Sequence, residues 1–188
     1  MIKQLRPAAM MLLVLTVLTG VVYPLIVTGV ARLAFPDQAR GSVVVAADRA
    51  VGSRLIGQAN DDPRYFWPRP SATNYGTLPS GGSNLAPTSA ELAALVEQRA
   101  GNFRAAHGLA PGAPVPTDML FASGSGLDPH ISPAAARLQI GRVAGARGLP
   151  EAQVASLVEA HVEGPQLGVL GQPRVNILML NLALDELQ

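Results

Sequence analysis

The run Ser123-Gly124-Ser125-Gly126-Leu127-Asp128-Pro129-His130-Ile131-Ser132 gathers hydroxyl, carboxylate and imidazole groups in one short stretch. These are the residue types of nucleophilic acyl transfer, in which a base activates a serine and a carboxylate orients the base. A hydrolase would use Ser125, Asp128 and His130. A triad is made by spatial geometry, however, and neighbours along an extended loop do not easily converge. A Gly-x-Ser-x-Gly elbow is also missing, because Ser123 stands where its first glycine belongs. The stretch therefore reads first as a tight loop leading into a capped helix. A second candidate is Ser80, Gly81, Gly82 and Ser83, whose backbone N–H groups could face an anion such as a nucleotide phosphate. A simple turn is the competing reading. Asp61 and Asp62 could hold a cation, but beside Pro63 and Arg64 they read as a turn cap. His107, His130 and His161 lack the spacing of a zinc site.

Other chemistries are excluded by composition. There are no cysteines, so disulfides and thiolate catalysis are absent. No Gly-Lys-Ser/Thr step exists to form a P-loop, and Lys3 is the single lysine. The formal net charge is +1, so no basic field points to nucleic acid. Beyond Lys3, Arg6 and Arg32 the chain carries 11 arginines against 13 acidic residues, and long-range charge would not draw it to anionic lipid or DNA.

The elements that must position these residues begin with a membrane helix. No charge occurs between Arg6 and Arg32. The uncharged segment 7–31 makes a helix of about 37 Å, enough to span a hydrocarbon core of about 30 Å with some tilt. A cleaved signal peptide would have a shorter apolar region, although Gly29-Val30-Ala31 resembles a cleavage site. Flanking charge leans toward a cytoplasmic N-terminus and an exported domain. Thr16, Gly20, Pro24 and Thr28 recur every four residues, a stripe of small side chains that would let a partner helix approach closely in lipid. Gly, Thr and Pro are also simply tolerated in such helices.

The resulting division is 1–6 as a short cytoplasmic N-terminus, 7–31 as the transmembrane helix, 32–41 as a connector and 42–188 as an extracytoplasmic domain. Within the domain, Ser42–Ala46 reads as a strand. The stretch 61–87 is rich in Pro, Gly, Ser and Asn, holds Trp67, Tyr65 and Tyr75, and reads as a long ordered loop. Thr88 and Glu91 form a capping box ahead of a helix carrying Leu92, Leu95, Val96 and Phe103. Pro116–Ala122 reads as a short strand. Ser132 caps a helix with Pro133 at its first position, and Gly148 stops it. Pro150 opens a third helix with Val154, Leu157, Val158 and His161. Val175–Leu184 is an apolar run suited to a buried final strand, with Asn176 and Asn181 breaking it so that its end turns helical. The fold class is α/β or α+β: one N-terminal transmembrane helix, then a single mixed domain.

Several segments in order carry a family resemblance: 19–25 (Thr-Gly-Val-Val-Tyr-Pro-Leu), 52–58 (Gly-Ser-Arg-Leu-Ile-Gly-Gln), 65–72 (Tyr-Phe-Trp-Pro-Arg-Pro-Ser-Ala), 80–85 (Ser-Gly-Gly-Ser-Asn-Leu), 123–132 and 174–178 (Arg-Val-Asn-Ile-Leu). The chain resembles the C subunit (KdpC) family of bacterial high-affinity potassium-transporting ATPases over nearly its whole length. Pro68 after Trp67 is a minor departure, since glycine is more usual there. The resemblance implies a non-catalytic accessory subunit in the bacterial inner membrane, with a cytoplasmic N-terminus and an extracytoplasmic domain. Its implied partners are a channel-like potassium-binding subunit, a P-type ATPase subunit and a small helical subunit, together with membrane lipid. The resemblance further implies a stabiliser of the assembly and a catalytic chaperone that raises the ATPase subunit's affinity for ATP. No cofactor is expected on this chain. ATP acts through the partner subunit and potassium is carried by the complex. An exported domain cannot reach cytosolic ATP, so that effect would be coupling through the membrane subunits. Direct contact at Ser80–Ser83 is the alternative. The competing whole-chain readings are a membrane-anchored serine hydrolase and a free-standing anchored binding module.

Overall fold

The computed structural model describes residues 2–187. The chain divides into two compact units, Met1–Val43 and Val44–Gln188. The first is dominated by one helix, α1 (Leu5–Ala34), long and apolar enough to cross a membrane. None of its residues is buried, and its leucines, valines and methionines stand open along the whole length. Such a surface has no cover within the unit, which is what a lipid-facing helix presents. The short helix α2 (Pro36–Ala39) follows.

Halfway along, α1 widens into a π turn over Leu18–Val22, where the Tyr23 N–H reaches back five residues to Leu18 O. Pro24 supplies a physical cause. It has no N–H to give Gly20 O, and its ring crowds that carbonyl, so the preceding turn opens. Thr19 Oγ1 donates to Leu15 O at 2.7 Å in the same stretch.

A hairpin follows, β1 (Val43–Ala46) and β2 (Arg49–Ser53), joined through Ala47 and Asp48 at positive φ. Positive φ at both central residues is the turn that matches strand twist. The second strand was not expected from sequence, because Arg49-Ala50-Val51-Gly52-Ser53 has little β-branched character. The stretch 54–89 contains no helix or strand, and it includes the 61–87 segment whose composition predicts a loop.

Helix α3 (Ala90–Ala106) corrects the expected cap by one residue. Ser89, not Thr88, is the N-cap, and its Oγ accepts from Leu92 N at 3.3 Å. Ser89 N also donates to Ala86 O, so Pro87 and Thr88 lie in a turn. Ser89 is then the first extended residue able to cap. The strand expected at Pro116–Ala122 is instead a 3₁₀ turn, Thr117–Met119. Thr117 O takes both Leu120 N and Phe121 N, and Asp118 turns to bind Ser132 N (2.6 Å) and Ser132 Oγ (3.1 Å).

Strand β3 (His130–Ile131) leads into α4 (Pro133–Arg147), capped by Ser132 Oγ accepting from Ala135 N and ended by Gly148 at φ +67°. Both ends match expectation. Helix α5 (Glu151–Ala160) begins after Pro150 and buries Val154 and Val158. Strands β4 (Val162–Glu163) and β5 (Arg174–Asn176) form the second hairpin. The final apolar run is corrected too: only three residues are strand, and the remainder is α6 (Ile177–Asp185), with Asn176 Oδ1 accepting from Met179 N. A capping side chain at Asn176 ends the strand where hydropathy alone would extend it.

The strands β3, β5 and β4 make one antiparallel sheet in that order, pairing His130 with Asn176, Val162 with Val175 and Glu163 with Arg174. Strand alternation sends Ile131, Val175 and Val162 to one face and His130, Asn176, Arg174 and Glu163 to the other. The apolar face packs on the core of Phe66, Phe103, Val143, Val154, Val158, Leu180 and Leu184. The fold is thus mixed helix and sheet, with one apolar helix ahead of it.

Candidate functional site

The segments singled out in the sequence converge within the second unit. Arg69 Nη1 donates to Asp128 Oδ2 at 2.8 Å. The Tyr75 hydroxyl donates to Arg69 O. Ser71 Oγ accepts from Thr73 N and Tyr75 N, closing the turn in which Asn74 and Tyr75 adopt positive φ. Ser123 N reaches Pro70 O at 3.4 Å, and Gly57 N donates to Leu127 O at 2.8 Å. Three glycines make this approach possible. A Cβ on Gly57 would stand 2.6 Å from Asp128 O. One on Gly126, whose φ is +70°, would meet Thr73 Oγ1 at 2.7 Å and Gly81 O at 2.8 Å. One on Gly82 would stand 3.3 Å from Gly124 O. The Gly-rich loops are thereby explained by close backbone contact.

The same geometry bears on each chemical reading. His130 Nδ1 lies 3.3 Å from Asp128 Oδ1, a triad-like pair. Its other nitrogen faces Asn176 Nδ2 at 3.5 Å rather than a serine. Ser125 Oγ accepts from Leu127 N, and Ser123 Oγ lies 3.5 Å from Asp128 N. Asp128 is committed to Arg69 as well. Burial by itself would raise its carboxyl, but hydrogen bonds from the His130 side chain and backbone, then Arg69, outweigh burial and hold it down at about 2. This cluster binds loops together and places no hydroxyl on an imidazole.

Ser80, Gly81, Gly82 and Ser83 sit against the 123–126 loop, with the glycines half-buried and the serines exposed. Neither glycine has the positive φ of an anion nest. Asp62 accepts from Arg64, through backbone and side chain, as the turn reading required. His107 is half-buried at the edge of the core, stacked on Phe103 with centroids 4.0 Å apart. Burial first, and then the Arg142 charge, lowers its pKa against the raising effect of its bond to Phe103 O. Among the described residues no three His, Asp or Glu side chains form a metal-sized cluster.

Thr16, Gly20, Pro24 and Thr28 lie on α1 in the first unit, all exposed. The π turn affects them directly. Four residues of ideal α-helix turn through about 400°, so a four-residue stripe drifts by about 40° per step. The wider π turn spanning Gly20 reduces that drift and keeps the stripe straighter. The space where a Gly20 side chain would stand is open.

Two features of the aromatic loop were not legible as a site. Phe66 and Trp67 have no strand beside them, yet their backbone is fully paired. Asn181 Oδ1 accepts from Phe66 N (2.8 Å) and its Nδ2 donates to Phe66 O (3.0 Å). Gln139 does the same for Trp67 at 2.7 and 3.2 Å. Two side-chain amides thus stand in for a neighbouring strand. Two arginines of α4 fix the loop from outside. Arg142 donates to Pro63 O, Gln139 Oε1 and His107 Nε2, and lies 4.1 Å from the Trp67 ring centroid. Arg147 donates to Arg64 O and Asp185, over Tyr65. Polar residues inside apolar runs, Asn181 above all, were the available signal.

The family model described as "KdpC: K+-transporting ATPase, c chain" matches residues 5–186. The potassium-transporting ATPase KdpC subunit of Sorangium cellulosum is 57% identical over 188 residues, covering 98% of both chains. That of Cereibacter sphaeroides is 54% identical over 185 residues, again with 98% of both covered. The Methylococcus capsulatus KdpC subunit is 52% identical, with 100% of both chains covered.

Proposed function

The chain belongs to the KdpC family, the c chain of K+-transporting ATPases, and from that premise we propose that it is a non-catalytic accessory subunit that stabilises the pump. The observation that carries this reading is the pairing of a wholly uncovered apolar helix with a domain whose triad-like Asp128 and His130 are spent on Arg69 and Asn176 rather than on a serine hydroxyl. A helix of this kind is completed by lipid and by other helices. The stripe of Thr16, Gly20, Pro24 and Thr28 is the docking face for a membrane partner. The partners are the channel-like potassium-binding subunit, the P-type ATPase subunit and the small helical subunit. The N-terminus is cytoplasmic and the second unit is extracytoplasmic, in a bacterial inner membrane.

In this orientation ATP and potassium are handled by the partners. A rise in ATP affinity then reflects coupling: the subunit binds one state of the ATPase subunit more tightly, and linkage makes that state the better ATP binder. The packed Ser80–Ser83 segment, without a nest, favours coupling over direct nucleotide contact. Co-purification of the intact complex tests the proposal. Gly20→Leu with Thr16→Ile is expected to lower recovery of the transport subunits severalfold, while Leu18→Met, two residues from each and so on the opposite face of the helix, leaves it unchanged. Unchanged recovery in the double variant would refute docking through this face. Retained potassium uptake in Ser125→Ala is expected, and its loss with the fold intact would reopen catalysis.

A further inference from the structure

The polar face of the β3-β5-β4 sheet joins the loop cluster through His130 and Asn176, while Arg174 and Glu163 on the same face take no part in it. This face forms one wall of a cavity of about 440 Å³ lined by Arg54, His130, His161, Glu163, Arg174 and Asn176, over an apolar floor that includes Leu55 and Met179. We propose that this cavity binds a phosphate-class oxyanion, held by the guanidinium groups of Arg54 and Arg174, with His161 in the cavity wall.

Strand alternation accounts for the convergence. Arg174 and Asn176 are two residues apart on β5 and so share a face, and their cross-strand partners Glu163 and His130 join them there. Asn176 Nδ2 donates to Arg54 O at 2.9 Å, which fixes the Arg54 backbone at the cavity rim. The Arg54 side chain is exposed, and no hydrogen bond or ion pair engages its guanidinium among the described residues. Arg174 gives its Nε to Glu163 Oε2 at 3.0 Å, leaving both terminal nitrogens able to donate. His161 ends α5, and its Nδ1 donates to Leu157 O at 2.8 Å, so Nε2 is the nitrogen turned to the cavity. His130 is occupied by Asp128 and Asn176 and acts as part of the wall.

The charge balance favours an anion. Two guanidinium groups meet one carboxylate on this face, and the cavity keeps a net positive charge with unfilled donors. Guanidinium forks match paired oxygens of a tetrahedral oxyanion, as ammonium or amide groups do not. Arg54, His130 and the Arg174–Asn176 pair come from three separate segments among those that carry the family resemblance, although none of those segments is adjacent in sequence. Free phosphate and the phosphate of a lipid headgroup present the same chemistry.

The three histidines provide the assay, since two line the cavity and His107, half-buried against Phe103 and outside the cavity lining, is an internal reference. The full chain in detergent is titrated with inorganic phosphate at constant ionic strength, following the imidazole resonances. Saturable shifts of His161 and His130, with His107 unmoved, are expected. Arg54→Gln, which removes an exposed and unpartnered side chain, should weaken binding about tenfold or more. Glu163→Gln removes the competing carboxylate and should tighten binding severalfold, an effect opposite in sign to general damage. Shifts that do not saturate, that move all three histidines alike, or that survive Arg54→Gln would overturn the site. So would a Glu163→Gln variant that binds no more tightly. Glycerophosphoglycerol, a lipid headgroup without chains, forms a second arm. Its competition with phosphate assigns a headgroup as ligand, and failure to compete assigns the free anion.

Discussion

Replacing Asp128 with asparagine should destabilise the second unit by an amount that depends on pH. The side chain keeps about the same volume, and its remaining oxygen can still accept from the His130 backbone N–H, which now lies 3.0 Å from Asp128 Oδ1. What is lost is the charge that strengthens the hydrogen bonds from His130 and then from Arg69. In the folded chain the carboxyl is held at about 2 against an ordinary 3.8. A depressed carboxyl contributes stability that is complete above its ordinary value and is lost as pH falls through that value toward 2. At 1.36 kcal/mol per pH unit the shift corresponds to about 2 kcal/mol, an upper bound because the side chain is 30% exposed and partly screened. Asp128→Asn should therefore cost up to about 2 kcal/mol at pH 7 and progressively less between pH 4 and pH 2. Urea unfolding of the full chain in detergent, read from the single tryptophan Trp67, gives both curves. Trp67 lies under Arg142 within the domain, so its emission reports loss of that packing. A penalty equal at pH 7 and pH 2.5, or no penalty at pH 7, would refute the account of Asp128 as the charged tie between the two loops.

Asn181→Leu should cost about 3 kcal/mol, because it leaves both the N–H and the carbonyl of Phe66 buried without partners; the same unfolding curves measure it, and accelerated hydrogen exchange at the Phe66 amide would accompany it. Gly126→Ala should cost at least 1–2 kcal/mol from left-handed backbone alone, and its Cβ would also collide with Gly81 O, so limited proteolysis should cut the 71–85 loop faster than in the parent chain. Ser89→Ala should cost about 1 kcal/mol and Thr88→Ala only a few tenths, measured by thermal unfolding, since Ser89 makes the capping bond. An equal loss at both positions would restore the cap expected from sequence.

The local rules worked where one residue type dictates one geometry. Ser132 and Pro133 began a helix, Gly148 ended it in the left-handed conformation, and a run without charge became a continuous apolar helix. They failed where two readings of equal local merit were separated by a distant partner. Thr88 and Ser89 are both good caps, and a turn set by Ala86 O selected the second. Pro116–Ala122 has the residue types of a strand, but Asp118 is drawn to Ser132 and the segment turns instead. The apolar run from Val175 satisfied either periodicity until Asn176 capped it into a helix.

The sequence by itself determined that one apolar segment of spanning length precedes a mixed domain, that cysteine and P-loop chemistry are absent, and which loops matter. Those properties reside in composition, charge and short-range capping, which do not require knowledge of neighbours. Only tertiary structure decided what the loops do. The Ser-Gly-Ser-Gly and Ser-Gly-Gly-Ser stretches are close-packed against each other, because a would-be Cβ on Gly126 lies 2.8 Å from Gly81 O and one on Gly82 lies 3.3 Å from Gly124 O. The triad-like Asp128 and His130 are turned toward Arg69 and Asn176, residues 59 and 46 positions away. The cationic face of the small sheet arises from strand register, which pairs residues from separate segments and is set by burying Ile131, Val175 and Val162 on the opposite side.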